Sequence, residues 1–386
     1  MSFEESSKAV RRKLAKMTDT DPNDWYLCLK ARFGMACVFN ALRDINGYGE
    51  VITTPYTCIT SINPILTSGL KPVYADINPE YLSTTSIKSA LFHPKTLAVV
   101  MQHTLGMIGD KSDLAKVVAD RNLLLVEDSA HCVTRMARTK SGKILADISV
   151  HSFGVEKVLT SSKFGGAIYV NPNLKKKNKE LYERITVKLG QLKEPGKLLG
   201  LRVRTYRFHN GILQRMPQAI KPGFRSMQIK LGLLEPAIYP FEQDGQQDEA
   251  KNTNNYVNEK ILESLGKLKL NYTRREANVE LYNKHMSSKH FDKITKLNEP
   301  LLAYPILFKD VKKAQAAYEM LSASGYFIRR WYNPLIYPGP NSTKRYYYDP
   351  KMAPIAEDVS KRVLCLPTDL PAIETQKIIK LISQDA

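Results

Sequence analysis

The chain has 386 residues, of which 43% are hydrophobic and 25% charged, a composition typical of a globular protein with two or three domains. With 57 Lys and Arg against 38 Asp and Glu, its formal net charge is +19, which favours acidic partners. No apolar run approaches the roughly 20 residues of a membrane-spanning helix, the N-terminus lacks the apolar core of a secretory signal, and the five cysteines form no C-x-x-C pair. The sequence therefore predicts a cytoplasmic protein with reduced thiols and without a disulfide framework or structural metal site.

Between residues 30 and 170, short β-branched runs alternate with stretches of helical spacing such as 111–121. The predicted strands are Glu50–Thr54, Pro72–Ile77, Thr96–Gln102, Asn122–Glu127, Ile148–Phe153 and Gly166–Val170. Several are apolar nearly throughout, as strands buried on both faces are. This alternation predicts an α/β fold with a mainly parallel sheet, whose ligands bind beyond the carboxyl ends of the strands.

Residues 174–230 form a basic segment. Its part from 193 to 230 holds nine Lys and Arg against one acid, Glu194. Four interpretations stay open: steering of a phosphate-bearing substrate, contact with an anionic membrane surface, nucleic-acid binding, or a solvated face. Nucleic acid is the least favoured, because no helix-turn-helix, zinc or RNP pattern accompanies the charge.

The polar stretch at 242–258 indicates either a segment that connects two domains or an exposed helix, and it predicts a domain boundary. We expect a large domain at 1–245, which includes the basic segment, and a smaller C-terminal α+β domain at 246–386. In the latter, 301–308 has a strand pattern, 312–325 a helical pattern, and 363–371 precedes a final helix.

Two predicted strand ends carry residues suited to chemistry. Asp128 and His131 follow one strand, and Ser152 and Lys157 follow the next. Each has an ordinary structural interpretation, since a strand-end Asp often caps a helix and a single Lys is usually solvated. A lysine just after a strand, among hydroxyl and glycine residues, also suits a Schiff-base lysine, which needs a desolvated amine beside an electron sink.

The ordered set of motifs resembles the DegT/DnrJ/EryC1/StrS aminotransferases, pyridoxal-phosphate (PLP) enzymes of the aspartate-aminotransferase fold (fold type I) that mostly act on nucleotide-linked keto sugars. The matching segments are ARFGMACVFNALRD (31–44), residues 47–78, MQHTLGMIGD (101–110), LLLVEDSAHC (123–132), residues 146–170, PLIYP (334–338) and VLCLPTDLP (363–371). They occur in family order and span most of the chain.

The resemblance implies roles at the reacting centre. Lys157, selected over Lys163 by the spacing S-F-x-x-x-K, matches the lysine that binds the cofactor covalently and then moves the proton. Asp128 matches the carboxylate that faces the pyridine nitrogen and keeps it protonated. His131 falls where the family has Gln or His beside the ring hydroxyl, although a packed core histidine is nearly as good an interpretation.

For the cofactor phosphate, the resemblance implies the Ser152 hydroxyl and the backbone amides of Gly34 and Met35 at a helix N-terminus. Met35 replaces a hydroxyl residue of the family, so its side-chain contact is missing. Arg32 is either a further phosphate contact or a surface arginine.

Two further positions depart from the family pattern. Cys58 stands where the family has an aromatic residue that stacks on the cofactor ring, so the stacking residue stays unassigned. Arg225 matches the arginine that the family sends to the phosphate from a partner subunit, but the accompanying Asn is missing. The resemblance therefore implies a homodimer that the residues support only in part. His103 is either a loop residue or a substrate contact, and the loop at 332–338 matches one near the cleft.

These observations predict a PLP-dependent transaminase that moves an amino group from glutamate or glutamine to a nucleotide-linked keto sugar in amino-sugar and surface-polysaccharide biosynthesis. Dehydratases of the same family carry His in place of the lysine, and Lys157 argues against them. The alternative from another class is a non-catalytic or regulatory protein of the same fold, and association with the inner membrane face stays an open interpretation. No metal is expected.

Overall fold

The computed structural model describes residues 1–159, 162–217, 219–294 and 298–385. Thr160 and Ser161, inside the motif at 146–170, and Gln218, inside the basic segment, lie outside the described residues.

The described chain alternates strands and helices in its first half and is mainly helical from residue 173 onward. The helices are α1 Phe3–Thr18, α2 Ala31–Asn46, α3 Ile59–Thr67, α4 Ser112–Asp120, α5 Asn173–Lys177, α6 Lys179–Gly190, α7 Lys197–Gln214, α8 Lys221–Lys230, α9 Asn255–Gly266, α10 Leu268–His285, α11 Val311–Ala323, α12 Pro354–Arg362 and α13 Ala372–Asp385. The strands are β1 Trp25–Cys28, β2 Glu50–Thr53, β3 Lys71–Tyr74, β4 Thr96–Gln102, β5 Leu124–Asp128, β6 Ile148–Ser152, β7 Gly166–Val170, β8 Phe291–Lys293, β9 Ala303–Phe308 and β10 Val363–Pro367.

Seven strands form one sheet in the order β1-β7-β6-β5-β4-β2-β3. Strands β2 to β6 are mutually parallel, while β7 runs antiparallel to both β6 and β1. Strands β2, β5 and β7 are buried along their whole length, in agreement with their nearly continuous apolar sequences. The predicted mainly parallel sheet and its six strands are confirmed, with ends that differ by up to three residues.

The carboxyl ends of parallel strands lie at one edge of a sheet, and the polar residues of the predicted site lie at this edge. Gln102 ends β4, Asp128 ends β5 and Ser152 ends β6, and Gln102 lies opposite Asp128 in the strand register. The sequence positions that follow these strands therefore come together in space, as expected for ligand sites of such sheets.

The C-terminal part contains the antiparallel sheet β10-β9-β8, with α10 to α13 packed around it. A loop at 329–338, here called the cleft loop, runs from this part back to the large sheet. Ile336 N donates to Pro55 O at 2.9 Å, and Tyr337 N donates to Thr57 O at 2.8 Å. The cleft loop therefore closes one side of the edge at which β4, β5 and β6 end.

The predicted domain boundary at residue 245 stays a prediction. Helix α9, which follows it, packs on α1, and Asn258 Nδ2 donates to Ser6 Oγ at 3.1 Å. Within the described part of the chain, none of the helices combines the length and hydrophobicity needed to cross a bilayer.

Candidate active site

A cavity of about 330 Å³ lies at the carboxyl edge of β5 and β6, between the large sheet and the cleft loop. Its volume is in the range of small-molecule sites. Among the sequence-predicted site residues, those that line it are Met35, Cys58, Asp128, His131, Ser152, Lys157 and Arg225. The structure brings all of these together, and it leaves only Gly34 outside the lining.

Lys157 follows β6 in a tight turn in which its N–H donates to Gly154 O at 3.4 Å. The preceding residue, Glu156, adopts a left-handed conformation with φ 63°, which is uncommon outside glycine and is frequent at functional sites. Removal of the amine from water lowers the pKa of Lys157, and Arg329 lowers it further, while Cys58, Asp128 and Glu156 oppose the shift. The site therefore favours the neutral, nucleophilic amine.

Asp128 ends β5 and is only 6% exposed. Its Oδ1 accepts from Ala130 N at 3.0 Å, and its Oδ2 accepts from Ser61 Oγ of α3 at 2.7 Å. These two hydrogen bonds fix the carboxylate in one orientation beside the cavity. A buried carboxylate whose oxygens are held in this way can present its charge to a cationic group.

His131 is held in the neutral form by its surroundings. Its Nδ1 accepts from Leu105 N at 3.0 Å, so the proton sits on Nε2, which lies 3.2 Å from the hydroxyl of Tyr332. Burial lowers the pKa of His131 well below its ordinary value, and the charges of Lys157 and Arg329 lower it further. The imidazole also stacks on Trp331 with ring centroids 5.1 Å apart.

The N-terminus of α2 lies at the cavity. The helix begins at Ala31, so Gly34 and Met35 are its fourth and fifth residues, and Gly34 carries the last of the four N–H groups that lack a partner within the helix. Gly34 N–H also faces the Cys28 thiol rather than the cavity. Arg32 and Met35 line the cavity, and the role of the backbone amides of Gly34 and Met35 in holding a phosphate stays a prediction.

Close packing against β7 explains why residue 34 is a glycine. A Cβ atom at this position would lie 2.3 Å from Cγ1 of Ile168 and 3.2 Å from the Sγ of Cys28. Glycine therefore lets α2 approach β7 closely, which holds the first turn of the helix at the edge of the cavity.

The cationic residues around the cavity fall into two groups. Lys30 Nζ pairs with Glu235 Oε1 at 2.6 Å, and Arg32 Nε pairs with Glu242 Oε1 at 2.7 Å. Lys163 and Arg225 also line the cavity, and no ion pair within 4.0 Å joins either of them to a carboxylate in the part of the chain that the structure describes. These two side chains therefore have their charge available for an anionic ligand.

Arg225 belongs to α8 of the same chain as the cavity that it lines. The resemblance implied that this arginine reaches the site of a partner subunit. The geometry of a single chain is thus sufficient to bring it there.

A model of the DegT/DnrJ/EryC1/StrS aminotransferase family matches residues 34–210 and 260–384. The chain belongs to this family. It is a transaminase of α/β fold, and the non-catalytic alternative loses its support, since the family match runs through Asp128 and Lys157.

The relatives of this chain include a sugar transaminase and a perosamine synthase. The dTDP-4-amino-4,6-dideoxy-D-glucose transaminase of Escherichia coli is 26% identical over 352 residues, which cover 89% of this chain and 82% of that enzyme. The GDP-perosamine synthase of Caulobacter vibrioides is 34% identical over 123 residues, which cover 32% of this chain and 33% of that enzyme.

Solved structures share the fold over nearly the whole chain. PseC of Helicobacter pylori, an aminotransferase involved in the biosynthesis of pseudoaminic acid, has a TM-score of 0.69 at 19% identity, covering 98% of this chain and 90% of PseC. The sugar aminotransferase CalS13 of Micromonospora echinospora has a TM-score of 0.68 at 19% identity, covering 99% and 92%. The expected fold type is thereby confirmed.

The site also contains an aromatic residue, Trp331, whose place beside Lys157 the sequence left unassigned. Cys58 is the N-cap residue of α3, and its backbone forms an isolated β-bridge with the backbone of Tyr337 in the cleft loop. Trp331, from the same loop, lines the cavity, and its ring centroid lies 5.4 Å from Lys157 Nζ. An aromatic face thus stands beside the lysine although the position at Cys58 is not aromatic; the only signal in the sequence was the match of 332–338 to a loop near the cleft.

His103 lies at the base of the site. It lines the cavity and its Nε2 is 2.7 Å from Glu127 Oε1, both side chains being fully buried. Glu127 also accepts from Ser149 Oγ and Ala137 N. This buried hydrogen-bond group supports the strand end that carries Asp128.

Proposed function

We propose that this transaminase uses PLP to move an amino group from glutamate or glutamine to a nucleotide-linked keto sugar. The observation that carries the proposal is the placement of Lys157 and Asp128 in one cavity, where burial favours the neutral amine and two hydrogen bonds fix the carboxylate.

The residues present fit PLP at three points. Lys157 would supply the amine that binds the aldehyde of PLP, and Asp128 would supply the negative charge that faces the pyridine nitrogen. Ser152 and Arg225, which has no ion pair in the described chain, would contact the phosphate of PLP. The amide of Arg32 in the first turn of α2 adds a further donor at a helix N-terminus. When bound, PLP supplies an electron sink for a carbanion on the substrate.

Lys157 Nζ is the proton carrier in this proposal. In the neutral form it takes the proton from the amino-bearing carbon of the donor, and in the second half-reaction it returns a proton to the carbon that carried the keto group of the acceptor. The charge of Arg329 and the burial of the amine favour that neutral form.

Neighbouring side chains orient and shield the reacting centre. Trp331 covers the amine from the side of the cleft loop, and Tyr332 holds His131 through its hydroxyl. Because His131 is neutral with its proton on Nε2, it orients its neighbours through hydrogen bonds and adds no positive charge beside Lys157.

The acceptor class is supported by the relatives and by the charge of the site. The E. coli relative is named for a dTDP-linked amino sugar and the Caulobacter relative for a GDP-linked one. Lys163 and Arg225 supply unpaired positive charge at the cavity for a diphosphate. The glutamate or glutamine donor, the homodimer and the cytoplasmic location stay predictions.

Two half-reactions test the proposal separately. Protein loaded with PLP is mixed with L-glutamate or L-glutamine, and the loss of visible absorbance reports donor use without any acceptor. Protein then in the amino form is mixed with dTDP-, GDP- or UDP-linked 4-keto-6-deoxy sugars, and mass spectrometry detects the aminated product. Absorbance loss with a donor followed by amination of one of these acceptors is the expected result, and no absorbance change with any of the common amino acids would contradict it.

A further inference from the structure

The hydroxyl of Tyr332, in the cleft loop, is buried at the wall of the active-site cavity. The residue is 3% exposed and lines the cavity beside Lys157 and Asp128. Within the described residues, the hydroxyl has a single hydrogen-bond partner, the Nε2 of His131 at 3.2 Å. The direction of this hydrogen bond therefore decides whether the tyrosine can donate to a ligand.

The backbone fixes the direction of the hydrogen bond between His131 and Tyr332. The Leu105 N–H donates to Nδ1 of His131 at 3.0 Å, so Nδ1 carries a lone pair. Burial lowers the pKa of His131 well below its ordinary value, so the imidazole is neutral and has its one proton on Nε2. His131 therefore donates to Tyr332. The hydroxyl proton of Tyr332 itself has no acceptor in the part of the chain that the structure describes.

Tyr332 keeps this proton at neutral pH. Burial raises the pKa of its hydroxyl well above the ordinary value. Groups that carry negative charge when ionised raise it further: Cys58, Asp128, Tyr56 and Cys365. A buried donor without an acceptor is costly, because no hydrogen bond compensates for the lost water. The fitting partner is an oxygen atom of a bound ligand, above all an anionic one.

The place of Tyr332 in the site indicates which oxygen this is. In the proposed function, on which this inference rests, Lys157 binds the aldehyde carbon of PLP and Asp128 faces the pyridine nitrogen. The ring oxygen of PLP is attached next to the carbon that bears the aldehyde, on the side of the ring between these two ends. Asp128 raises the pKa of Tyr332, and Lys157 lowers that of His131, so the pair lies within electrostatic reach of both ends.

Both nitrogens of His131 are already engaged by the protein. The resemblance implied that this residue lies beside the ring hydroxyl of the cofactor. In this chain its Nδ1 accepts from Leu105 and its Nε2 donates to Tyr332. The group that still has a proton to donate is the phenol and not the imidazole.

We propose that Tyr332 donates a hydrogen bond to the ring oxygen of PLP, and that His131 is a positioning residue that orients this hydroxyl. The chain of hydrogen bonds runs from the Leu105 N–H through His131 to Tyr332. Its last donor stabilises negative charge on the ring oxygen. The nitrogen that joins Lys157 to the cofactor then holds its proton less tightly, because the ring oxygen is the counter-charge of that proton.

The visible spectrum of PLP-loaded protein, recorded as a function of pH, tests this without turnover. The visible band changes position when the nitrogen that joins Lys157 to PLP gains or loses its proton. Tyr332→Phe keeps the ring and removes the hydroxyl, so it should move the midpoint of this change to higher pH by about one unit. The matched control is Tyr337→Phe, which should leave the midpoint unchanged. Tyr337 lines the same cavity from the same loop, and its hydroxyl has no hydrogen bond in the described chain.

His131→Phe tests the positioning role. It keeps a ring beside Trp331 but frees the Tyr332 hydroxyl to turn, so the midpoint should rise by less than in Tyr332→Phe. The double variant should have the midpoint of Tyr332→Phe alone, because no hydroxyl remains to be oriented. Additive shifts in the double variant would show that His131 contacts the cofactor independently, and they would overturn its positioning role.

The outcomes separate this inference from the proposed function. Equal midpoints in the native protein and in Tyr332→Phe would overturn the inference alone, because the band itself reports PLP on Lys157. It would also be overturned if Tyr332→Phe raised only the KM for the keto-sugar acceptor, since the hydroxyl would then contact the acceptor. A protein that forms no visible band with PLP would overturn both the proposed function and this inference.

Discussion

The Nζ of Lys157 lies 5.4 Å from the centroid of the Trp331 ring. The two residues are far apart in the sequence and come from different parts of the fold, β6 and its turn on one side and the cleft loop on the other. Trp331 is also stacked on His131 with an angle of 14° between the rings. One indole therefore contacts both the amine and the imidazole of the site.

Replacement of Trp331 should weaken the binding of PLP. An aromatic contact contributes about 1 kcal/mol to the free energy of binding, so Trp331→Leu should raise the Kd for PLP about fivefold. Trp331→Phe keeps an aromatic ring, so its Kd for PLP should stay close to that of the native protein. Absorbance titration of the apoprotein measures both. An unchanged Kd in Trp331→Leu would show that the indole does not take the place of the aromatic residue missing at Cys58.

Asp128→Asn tests the charge of the carboxylate while keeping its shape. The amide can still contact Ser61 and Ala130, but it cannot stabilise a protonated pyridine, so kcat should fall on the order of 100-fold or more. Ser61→Ala removes the 2.7 Å hydrogen bond to Asp128 but leaves the negative charge of the carboxylate, so it should lower kcat only a few-fold. Equal effects of the two substitutions on kcat would indicate that Asp128 has only a structural role.

The rate at which the apoprotein captures PLP should depend on pH through Lys157. The pKa of its amine is lowered by burial and by Arg329, so capture should be fast above that lowered pKa and slow as the pH falls through it. Arg329→Gln should move the transition to higher pH, because it removes a positive charge. Arg330→Gln, whose guanidinium donates to Gln315 instead, is the control. Coincident pH profiles for Arg329→Gln and the native protein would contradict the assignment.

Glu127 should contribute to stability against acid. Burial alone would raise its pKa, but the hydrogen bond and charge of His103, with the hydrogen bonds from Ala137 N and Ser149 Oγ, lower it below 4.5. The contribution of Glu127 to the free energy of unfolding is therefore fully present above pH 4.5, and it is lost as the pH falls through the lowered pKa of Glu127. Glu127→Gln should flatten the fall of Tm with pH below 4.5, with Glu276→Gln as a control on α10. Parallel Tm curves would contradict this.

Strand positions could be predicted from the sequence because burial on both faces leaves a nearly continuous apolar pattern, as in β4 and β7, whose predicted and observed ends coincide. The residues that follow β5 and β6 could also be placed at one edge, because parallel strands end together. The start of α2 could not be predicted. Lys30 and Arg32 at its start pair with Glu235 and Glu242, more than 200 residues away, and such tertiary contacts leave no local pattern.

Trp331 escaped prediction for the same reason. Its approach to Lys157 depends on the hydrogen bonds of the cleft loop to Pro55 and Thr57, which join distant parts of the chain. The substitution of Cys58 for an aromatic residue was visible in the sequence, but the side chain standing near that position was not.

The central claim is that Lys157, and not the neighbouring Lys163, binds the cofactor. The most direct measurement is the visible spectrum of PLP-loaded protein before and after borohydride, followed by peptide mapping of the reduced adduct, with Lys157→Ala and Lys163→Ala side by side. We predict a band that borohydride removes in the native protein and in Lys163→Ala, an adduct on Lys157, and no such band in Lys157→Ala. A colourless protein that stays colourless with added PLP, or an adduct on Lys163, would contradict the account.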